Sequence, residues 1–491
     1  MNTKRAIFSG FISGLMLVLG WPGVEWTYLL FIAFIPLLLF VYDKKNNFKS
    51  CFIAALSSFF TWFAGSMYWL LAVSDSTHDI AIILLSFLII PLMMSIPVLL
   101  FKGFITRFHT CLSFFVFPLL WTGFEFVQLQ WTYGFTWLRF GLGFASIPWL
   151  SAICFYLSPA VLGFIVLLFN TSFAWIIYSI RTREANRTLI TIWPAIFALT
   201  FIVFAVIKVP NKKSRSVRIA VIQPDIDPKQ SLDEHSLYKQ VMLFKRFALS
   251  LKKDAVDLLV CPEGYLRSRP EAPIILNDLK NNKAILEMQH ISSKLNAPII
   301  TGMIALRLFT GNEKLPAYSF TLDDGRKAAL FNTALMITPD GGLQIAVKNK
   351  LVPFMERIPE GIFHLSLNQM QKGYSSIDST VVFQYKNLKI APLICMDITD
   401  ETYIAKMMNP KANLMVHISN DGWSGRDISA KQNECYARTM AISFNLPVVR
   451  SCTNGYSGFI SNSGDIISKL NWHQAGILTE TIELTPFSPK K

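Results

Sequence analysis

The order of apolar and polar residues divides the chain near residue 210. Before that point, long apolar stretches approach the ~20 residues that a membrane-spanning helix needs, and short polar segments separate them. The apolar stretches cover residues 6–22, 27–42, 50–73, 80–101, 111–127, 158–179 and 189–208. This pattern predicts an α-helical transmembrane bundle with seven spans over residues 1–209.

After residue 210 the apolar runs become short, and mixed-charge stretches with helical spacing separate several of them. The strand-like runs are 217–222, 256–261, 298–302, 330–338, 388–394, 413–419 and 446–451. The helical stretches are 234–252, 274–295 and 429–444. Alternating strands and helices are typical of a layered α/β domain. We therefore predict a basic linker at 210–217, an α/β domain at 218–485 and a tail at 486–491.

The composition supports a large membrane portion. Of the 491 residues, 52% are hydrophobic and only 16% are charged, and the mean hydropathy is +0.40. Such values are unusual for a soluble enzyme and ordinary for a chain that is partly embedded in a bilayer. No run of ~18 apolar residues follows residue 209, so we expect the C-terminal part to stay on one side of the membrane.

The charge and the cysteines exclude several classes of partner and cofactor. The formal net charge of +14 could suggest nucleic acid, but many of the basic residues lie in short clusters between apolar segments, where they orient a membrane protein. The seven cysteines are scattered without a CxxC pair, and the seven histidines show no metal-binding spacing. We expect no nucleic acid, no disulfide scaffold, no metal and no cofactor.

The loops between the predicted spans indicate the orientation. Basic residues fall in every second loop: Lys44, Lys45, Lys49, Lys102, Arg107, Arg181, Arg183 and Arg187. The alternate loops at 23–26 and 74–79 contain no lysine or arginine, and the loop at 128–157 contains only Arg139. The positive-inside rule then places the N-terminus in the cytoplasm and the α/β domain on the outer side.

Two features of the helical half could do more than anchor the chain. Glu125 lies within an apolar span, where an ionisable group is either functional or hydrated near the interface. The outer loop at 131–141 combines aromatic residues, including Trp137, with the single cation Arg139. This loop predicts either an aromatic belt or a lipid-binding rim in which Arg139 meets a phosphate.

Cys395 ends an apolar, β-leaning run at 388–395. The residues that follow it indicate the cap and acidic first turn of a helix: Asp397, Thr399, Asp400 and Glu401. A thiol between a strand end and a helix N-terminus lies where backbone N–H groups stabilise the reactive thiolate. The alternative is an inert buried thiol. A second strand at 413–419 runs into the polar turn at 420–425, which we expect to wall the same pocket.

Two other stretches also place a reactive side chain just past a strand. Residues 256–263 end in Glu263, and residues 347–356 present Lys348, Lys350 and a glutamate. A carboxylate can take a thiol proton, an ammonium can stabilise an oxyanion, and a thiolate can form an acyl-enzyme. Each residue alone also has a structural interpretation, such as a helix cap, a solvated charge or a core thiol.

These stretches together resemble a known superfamily. The motifs Cys-Pro-Glu263, Lys348-x-x-Leu-Val-Pro-Phe-x-Glu356, the strand ending at Cys395 and Asn420-Asp-Gly-Trp423 are similar to those of the nitrilase (carbon-nitrogen hydrolase) superfamily. The Leu-Val-Pro-Phe segment, the preceding spans, Gly134-Phe-Thr-Trp-Leu138 and Arg450-Ser-Cys-Thr-Asn-Gly455 resemble the narrower apolipoprotein N-acyltransferase family. The resemblance covers nearly the whole chain and implies an α-β-β-α sandwich with a Glu-Lys-Cys triad.

The resemblance also implies roles and substrates. Glu263 matches the general base, Lys348 the oxyanion stabiliser and Cys395 the acyl-accepting nucleophile, with Lys350 as the alternative lysine. The supporting or substrate-binding candidates are Glu356, Asp397, Asn420, Trp423, Trp137 and Arg139. The family moves a fatty acyl chain from a phospholipid to the α-amine of a lipid-modified N-terminal cysteine on a lipoprotein. The implied location is the bacterial inner membrane, with the catalytic domain in the periplasm and the bilayer as a partner.

The chain departs from the family pattern at several positions. Met396 and Asp397 stand where the family usually has Tyr-Glu, Met355 replaces a glycine, and Gln128 replaces a common arginine. We expect the chain to end at Lys491 without the final transmembrane helix of its relatives, as a divergent branch. Two other functions stay open at this point. One is a membrane-tethered amidase that hydrolyses carbon–nitrogen bonds, and the other is a non-catalytic membrane binding protein.

Overall fold

A computed structural model describes most of the chain in two compact units, Met1–Val209 and Pro210–Lys491. The described residues are 2–73, 77–108, 113–183, 187–206, 215–228, 236–269, 272–353, 355–357, 373–377, 380–408 and 412–484. The linker predicted at 210–217 lies outside these ranges except for its last residues, which already belong to the first strand, and the tail predicted at 486–491 lies wholly outside them.

The first unit is helical. Its helices are α1 (Asn2–Gly20), α2 (Ile35–Tyr42), α3 (Phe48–Met67), α4 (Thr77–Met94), α5 (Ile96–Arg107), α6 (Ser113–Gln130), α7 (Pro148–Ser151), α8 (Ile153–Tyr156), α9 (Pro159–Thr182) and α10 (Arg187–Val206). Each of the seven predicted spans overlaps one helix or a pair of consecutive helical segments. Among the described residues, four helical stretches are long and apolar enough to cross a membrane: Thr3–Gly20, Phe48–Ala72, Ile80–Arg107 and Pro159–Thr182. A helical membrane segment is therefore supported, and the count of seven spans stays a prediction.

The span predicted at 27–42 is interrupted, and a buried polar side chain compensates for the interruption. A 3-10 turn at Thr27–Phe31 precedes α2, so backbone groups between them lack helical partners. The side chain of Asn170 on α9 supplies partners, because its Oδ1 accepts the Phe34 N–H at 2.9 Å and its Nδ2 donates to the Leu30 carbonyl at 3.0 Å. An apolar environment tolerates broken helices only where such bonds are restored.

The second unit alternates strands and helices. Its strands are β1 (Arg215–Gln223), β2 (Leu258–Val260), β3 (Ile299–Phe309), β4 (Phe320–Thr321), β5 (Lys327–Ile337), β6 (Leu343–Val347), β7 (Phe383–Tyr385), β8 (Leu388–Ile394), β9 (Leu414–Ser419), β10 (Val448–Cys452), β11 (Gly458–Ile460), β12 (Ile466–Lys469) and β13 (Gly476–Leu484). Its helices are α11 (Leu237–Ala248), α12 (Lys283–Leu295), α13 (Glu401–Met408) and α14 (Asp427–Phe444). All seven strand-like runs of the sequence coincide with strands.

The strands form two sheets. The first has the order β13-β1-β2-β3-β5-β4, with β6 also paired to β5, and the second has the order β12-β11-β10-β9-β8-β7. A buried core joins residues of both sheets, such as Val260 and Met336 of the first and Ile394 and Val416 of the second. Helices α11 and α12 pack on the outer face of the first sheet through residues that include Phe244 and Met288. Helices α13 and α14 contact strands of the second sheet. The unit is therefore a four-layer α-β-β-α sandwich, as the resemblance implied.

Candidate active site

Strand direction brings the reactive side chains to one edge of each sheet. Strands β2 and β3 are parallel, β5 is antiparallel to β3, and β6 is antiparallel to β5, so β2 and β6 point the same way. Glu263 follows β2 and Lys348 follows β6, so both leave the first sheet at the same edge. In the second sheet β8 and β9 are parallel, and Cys395 and Asn420 follow their carboxyl ends.

Lys348 lies between two carboxylates. Its Nζ is 3.0 Å from Oε1 of Glu263 and 2.8 Å from Oε1 of Glu356, and only 1% of the Lys348 side chain is exposed. Burial alone would lower the pKa of the ammonium. The negative charges of Glu263 and Glu356, joined by that of the Cys395 sulfur whenever the thiol is ionised, outweigh burial and raise the pKa of Lys348 well above its usual value. Lys348 is therefore a fixed positive charge at neutral pH.

Glu263 is held by donors from three different elements. Its Oε1 also accepts a 2.7 Å hydrogen bond from the Asn332 amide on β5, and its Oε2 accepts the backbone N–H of Asn420 at 2.8 Å. Gly302 on β3 allows the Glu263 loop to approach, because a Cβ at Gly302 would lie 2.5 Å from the Glu263 Cα. The carboxylate is buried, oriented and close to a fixed ammonium.

Glu356 orders the loop that carries the lysine. While its Oε1 contacts Lys348, its Oε2 accepts the backbone N–H of Val352 at 2.8 Å. The side chain thereby closes a turn within the Leu-Val-Pro-Phe segment. The ammonium that meets Glu263 is that of Lys348, which favours Lys348 over the alternative Lys350 as the oxyanion stabiliser.

Cys395 is partly buried, whereas the other five described cysteines are buried. Burial and the negative charge of Glu263 raise the pKa of its thiol well above the usual value, against the opposing charge of Lys348. The expectation of a stabilised thiolate was therefore wrong for the resting site. The residues after the strand form only a 3-10 turn, Cys395–Thr399, and not the longer α-helix whose N-terminus would stabilise a thiolate. The thiol keeps its proton at rest and needs a base.

Asp397 ties the lysine loop to the cysteine loop. One carboxylate oxygen accepts the backbone N–H groups of Asn349 and Lys350 at 3.1 and 2.7 Å, and the other accepts that of Ile394 at 3.0 Å. Burial raises the pKa of Asp397 to about 7 despite these three donors. Asp397 thus supports the site from behind, through the backbone on either side of the reactive groups.

The other predicted residues divide between the two units. Asn420 joins the site through its backbone N–H, and Trp423 lies in the Asp421–Ser424 turn with 40% of its surface exposed. Trp137 and Arg139 belong to the helical unit, where both are buried at 6% and 3% exposure. The substrate-binding role of these two residues stays a prediction. Glu125 is also buried there and accepts the Trp121 indole N–H at 2.8 Å.

Two further residues, which the sequence analysis missed, contact the predicted catalytic residues. Asn332 donates to Glu263, and Nε2 of His417 on β9 lies 3.0 Å from the Cys395 carbonyl oxygen. The only signal for either was a polar side chain inside an otherwise apolar strand. Within the described ranges, no group of three or more His, Cys, Asp or Glu side chains is arranged to hold a metal ion.

Both units match known protein families. Residues 218–486 match the family model described as carbon-nitrogen hydrolase, and residues 13–172 match that of the apolipoprotein N-acyltransferase N-terminal domain. The chain is 22% identical over 504 residues to an apolipoprotein N-acyltransferase of Chlorobaculum tepidum, which covers 98% of this chain and 91% of that relative. It is 24% identical over 454 residues to one of Rickettsia typhi, which covers 89% and 84%. A solved carbon-nitrogen hydrolase from Helicobacter pylori G27 gives a TM-score of 0.39 at 15% identity over 55% of this chain and 89% of that one.

Proposed function

The chain belongs to the carbon-nitrogen hydrolase family, and we propose that it is a membrane acyltransferase of lipoprotein biosynthesis. The reaction moves a fatty acyl chain from a phospholipid, through a thioester on Cys395, to the N-terminal α-amine of a lipid-modified cysteine on a lipoprotein. The observation that carries the proposal is the union, in one chain, of the N-acyltransferase N-terminal domain match with a hydrolase domain whose Lys348 contacts Glu263 at 3.0 Å.

The first half-reaction charges the sulfur. Glu263 takes the proton of the Cys395 thiol, and Sγ bonds to the carbonyl carbon of the phospholipid ester. The carbonyl oxygen becomes an oxyanion beside the Lys348 ammonium. The ester C–O bond then breaks, and the proton on Glu263 passes to the departing glycerol oxygen. A lysophospholipid leaves, and Cys395 holds the acyl chain as a thioester.

The second half-reaction discharges it. The neutral α-amine of the lipoprotein attacks the thioester carbon, and Glu263 accepts a proton from the attacking nitrogen. The second oxyanion meets the same ammonium, the C–S bond breaks, and Glu263 returns the proton to the sulfur. The products are the amide and the free thiol, so atoms and charges balance.

The geometry of Lys348 suits the oxyanion role. Two carboxylates fix its Nζ, so the ammonium needs little reorganisation when negative charge develops on the substrate. The same pair of carboxylates keeps the amine protonated. Because Cys395 is protonated at rest, attack is coupled to proton transfer to Glu263.

The membrane location follows from the substrates and from the helical unit. Both proposed substrates are lipids, and the described part of the helical unit contains four helical stretches that are long and apolar enough to span a bilayer. The charge distribution of the loops supports a multi-pass protein of the bacterial inner membrane, with seven spans, a cytoplasmic N-terminus and a periplasmic catalytic domain. An acyl thioester must be kept from water, which favours an apolar surrounding for the acyl chain.

Mass spectrometry of the full chain purified from membranes tests the proposal. We expect a fatty acyl adduct on the Cys395 peptide that disappears when a lipid-modified cysteinyl peptide is added. The Cys395→Ser variant should lack the adduct, and Cys435→Ser, which changes a buried cysteine, should retain it. Amide hydrolysis without a long-chain adduct would instead support the amidase, and no reaction at all would support the binding protein.

A further inference from the structure

Three buried polar side chains form a hydrogen-bond network next to Cys395. The Arg450 guanidinium donates from one terminal nitrogen to Oδ2 of Asp421 at 3.0 Å and from Nε to Nδ1 of His417 at 3.2 Å. The other ring nitrogen, Nε2 of His417, lies 3.0 Å from the carbonyl oxygen of Cys395. All three side chains are buried, so the contacts are shielded from water.

This network determines which nitrogen of the His417 ring carries the proton. An arginine Nε–H can only donate, so Nδ1 of His417 must accept, and the ring proton must lie on Nε2. Burial and the neighbouring positive charge of Arg450 lower the pKa of His417 to about 3, so the ring is neutral at working pH. His417 therefore donates from Nε2 to the Cys395 carbonyl.

Asp421 holds the far end of the network. Its Oδ1 accepts from the Ser419 hydroxyl at 2.7 Å and from the Asn433 amide at 3.0 Å. A Cβ at Gly455 would lie 2.2 Å from Oδ2 of Asp421, so the carboxylate has room in this position because residue 455 is a glycine. The guanidinium is thus placed by a carboxylate that is itself fixed.

The carbonyl that His417 holds belongs to a special peptide. Cys395 has a φ of +49°, a left-handed conformation that costs a residue with a Cβ roughly 1–2 kcal/mol. That conformation directs the side chain that carries Sγ. The peptide is planar, so fixing its carbonyl also fixes the Met396 N–H, which points the opposite way. As a residue of the first turn of the Cys395–Thr399 segment, Met396 has an N–H without an acceptor within that turn.

We propose that His417 and Arg450, anchored by Asp421, are positioning residues for the nucleophile. They hold the Cys395–Met396 peptide in its left-handed setting and thereby aim the sulfur and the Met396 N–H at the reacting carbonyl. This inference rests on the acyl-carrying role proposed for Cys395. Its own content is that one hydrogen bond, from Nε2 of His417, sets the rate of acylation without contributing to substrate binding.

Three variants of the full chain in phospholipid–detergent micelles test the inference. His417→Gln keeps an N–H donor about where Nε2 lies, whereas His417→Asn places its amide near Nδ1 and removes that donor. Arg450→Lys keeps the positive charge but removes the Nε donor that sets the tautomer. Each variant is compared with wild type by its thermal midpoint, its KM for phospholipid, its final acyl stoichiometry and its single-turnover rate of acylation of Cys395.

We expect His417→Asn and Arg450→Lys to lower the acylation rate about 100-fold, the order of effect for a misplaced reacting group, with KM unchanged. His417→Gln should stay within about tenfold of wild type, because the retained donor keeps the peptide in place. A purely structural role would lower the thermal midpoint and the acyl stoichiometry while folded molecules reacted at the wild-type rate. That result, or equal losses in the Gln and Asn variants, would overturn the inference.

A second measurement separates this inference from the proposed function. Alkylation of Cys395 by iodoacetamide needs no lipid substrate, and we expect it to be slower in His417→Asn than in wild type. An unchanged alkylation rate would count against positioning even if acylation were lost. Wild-type protein that forms no acyl adduct, but shows the slower alkylation in the variant, would contradict the proposed function and leave the positioning intact.

Discussion

The Lys348 ammonium lies closer to Glu356, at 2.8 Å, than to the proposed base Glu263, at 3.0 Å. Two carboxylates thus share one ammonium in a site that water barely reaches. Glu263 loses its negative charge when it accepts a proton. Glu356 then remains as the carboxylate that keeps Lys348 charged. We therefore expect Glu356 to support catalysis without touching the substrate.

Replacing Glu356 with glutamine tests this division of labour. The amide preserves the shape of the side chain but removes one negative charge, so the pKa of Lys348 should fall and the ammonium should be held less firmly. We expect a loss of about 10- to 100-fold in the single-turnover acylation rate, since one charged contact to a catalytic group is lost. The thermal midpoint serves as the control for folding. A wild-type rate in Glu356→Gln would show that Glu263 alone is sufficient.

Replacing Lys348 with arginine should be severe. The planar guanidinium is bulkier than an ammonium and cannot occupy the same point between two carboxylates. We expect a loss of about 1000-fold in acylation rate, the upper range for removal of an oxyanion contact. Lys350→Arg is the matched control, because its backbone N–H, which is the group that Asp397 accepts, is unchanged by the substitution. If Lys350→Arg proved the more damaging change, the oxyanion role would pass to Lys350.

The raised pKa of Cys395 predicts how its reactivity depends on pH. Since the thiolate is the reactive form and is scarce below the thiol pKa, the rate of iodoacetamide alkylation should rise about tenfold per pH unit through neutral pH and continue to rise above pH 9. Peptide mapping after timed labelling measures this rate. A plateau below pH 8 would mean that the thiolate is already formed at rest, and Cys395→Ser provides the zero of the measurement.

Asp397 predicts a pH dependence of stability. Its pKa of about 7 in the folded chain exceeds the roughly 3.9 of an unfolded aspartate, so the folded state binds the extra proton. Its contribution to the free energy of unfolding is therefore complete below about pH 4 and is lost as the pH rises to about 7. We expect the thermal midpoint of the wild type, measured relative to that of Asp397→Asn, to fall from pH 5 to pH 8. A constant difference would show that the carboxylate is ionised throughout.

Much of this architecture could be predicted from local sequence. The strands β1, β2, β3, β5, β8, β9 and β10 were all visible as apolar runs, and Glu263 and Cys395 each follow one of them. Lys348 follows β6, which was not among the predicted runs. Six strands were missed. Four of them, β4, β7, β11 and β12, have only two to four residues and carry no readable period, whereas β6 and the longer β13 also had no predicted apolar run. Helix positions in the first unit followed from apolar length, whereas the interruption before α2 did not.

The connections behind the site could not be predicted. Asp397 and Lys350 are separated by 47 residues, and only the folded arrangement of the two sheets brings them within 2.7 Å. The protonated resting thiol was missed for the same reason. The local sequence shows the N–H groups after Cys395, but it does not show the burial of the thiol or the carboxylate of Glu263, which together raise its pKa. His417 and Arg450 are neighbours across β9 and β10, a pairing that sequence spacing does not reveal.

Glu263 and Lys348 follow strands of the first sheet, and Cys395 follows a strand of the second. Hydrogen bonds to backbone N–H groups join the two sheets at this end. Asp397 accepts the backbone N–H of Lys350, and the backbone N–H of Asn420 donates to Glu263. The alignment of the catalytic groups therefore depends on how the two sheets are joined and not on either sheet alone. Heating that weakens the contacts between the sheets should inactivate the enzyme while both sheets are still intact. Heat inactivation should therefore precede the loss of β-structure.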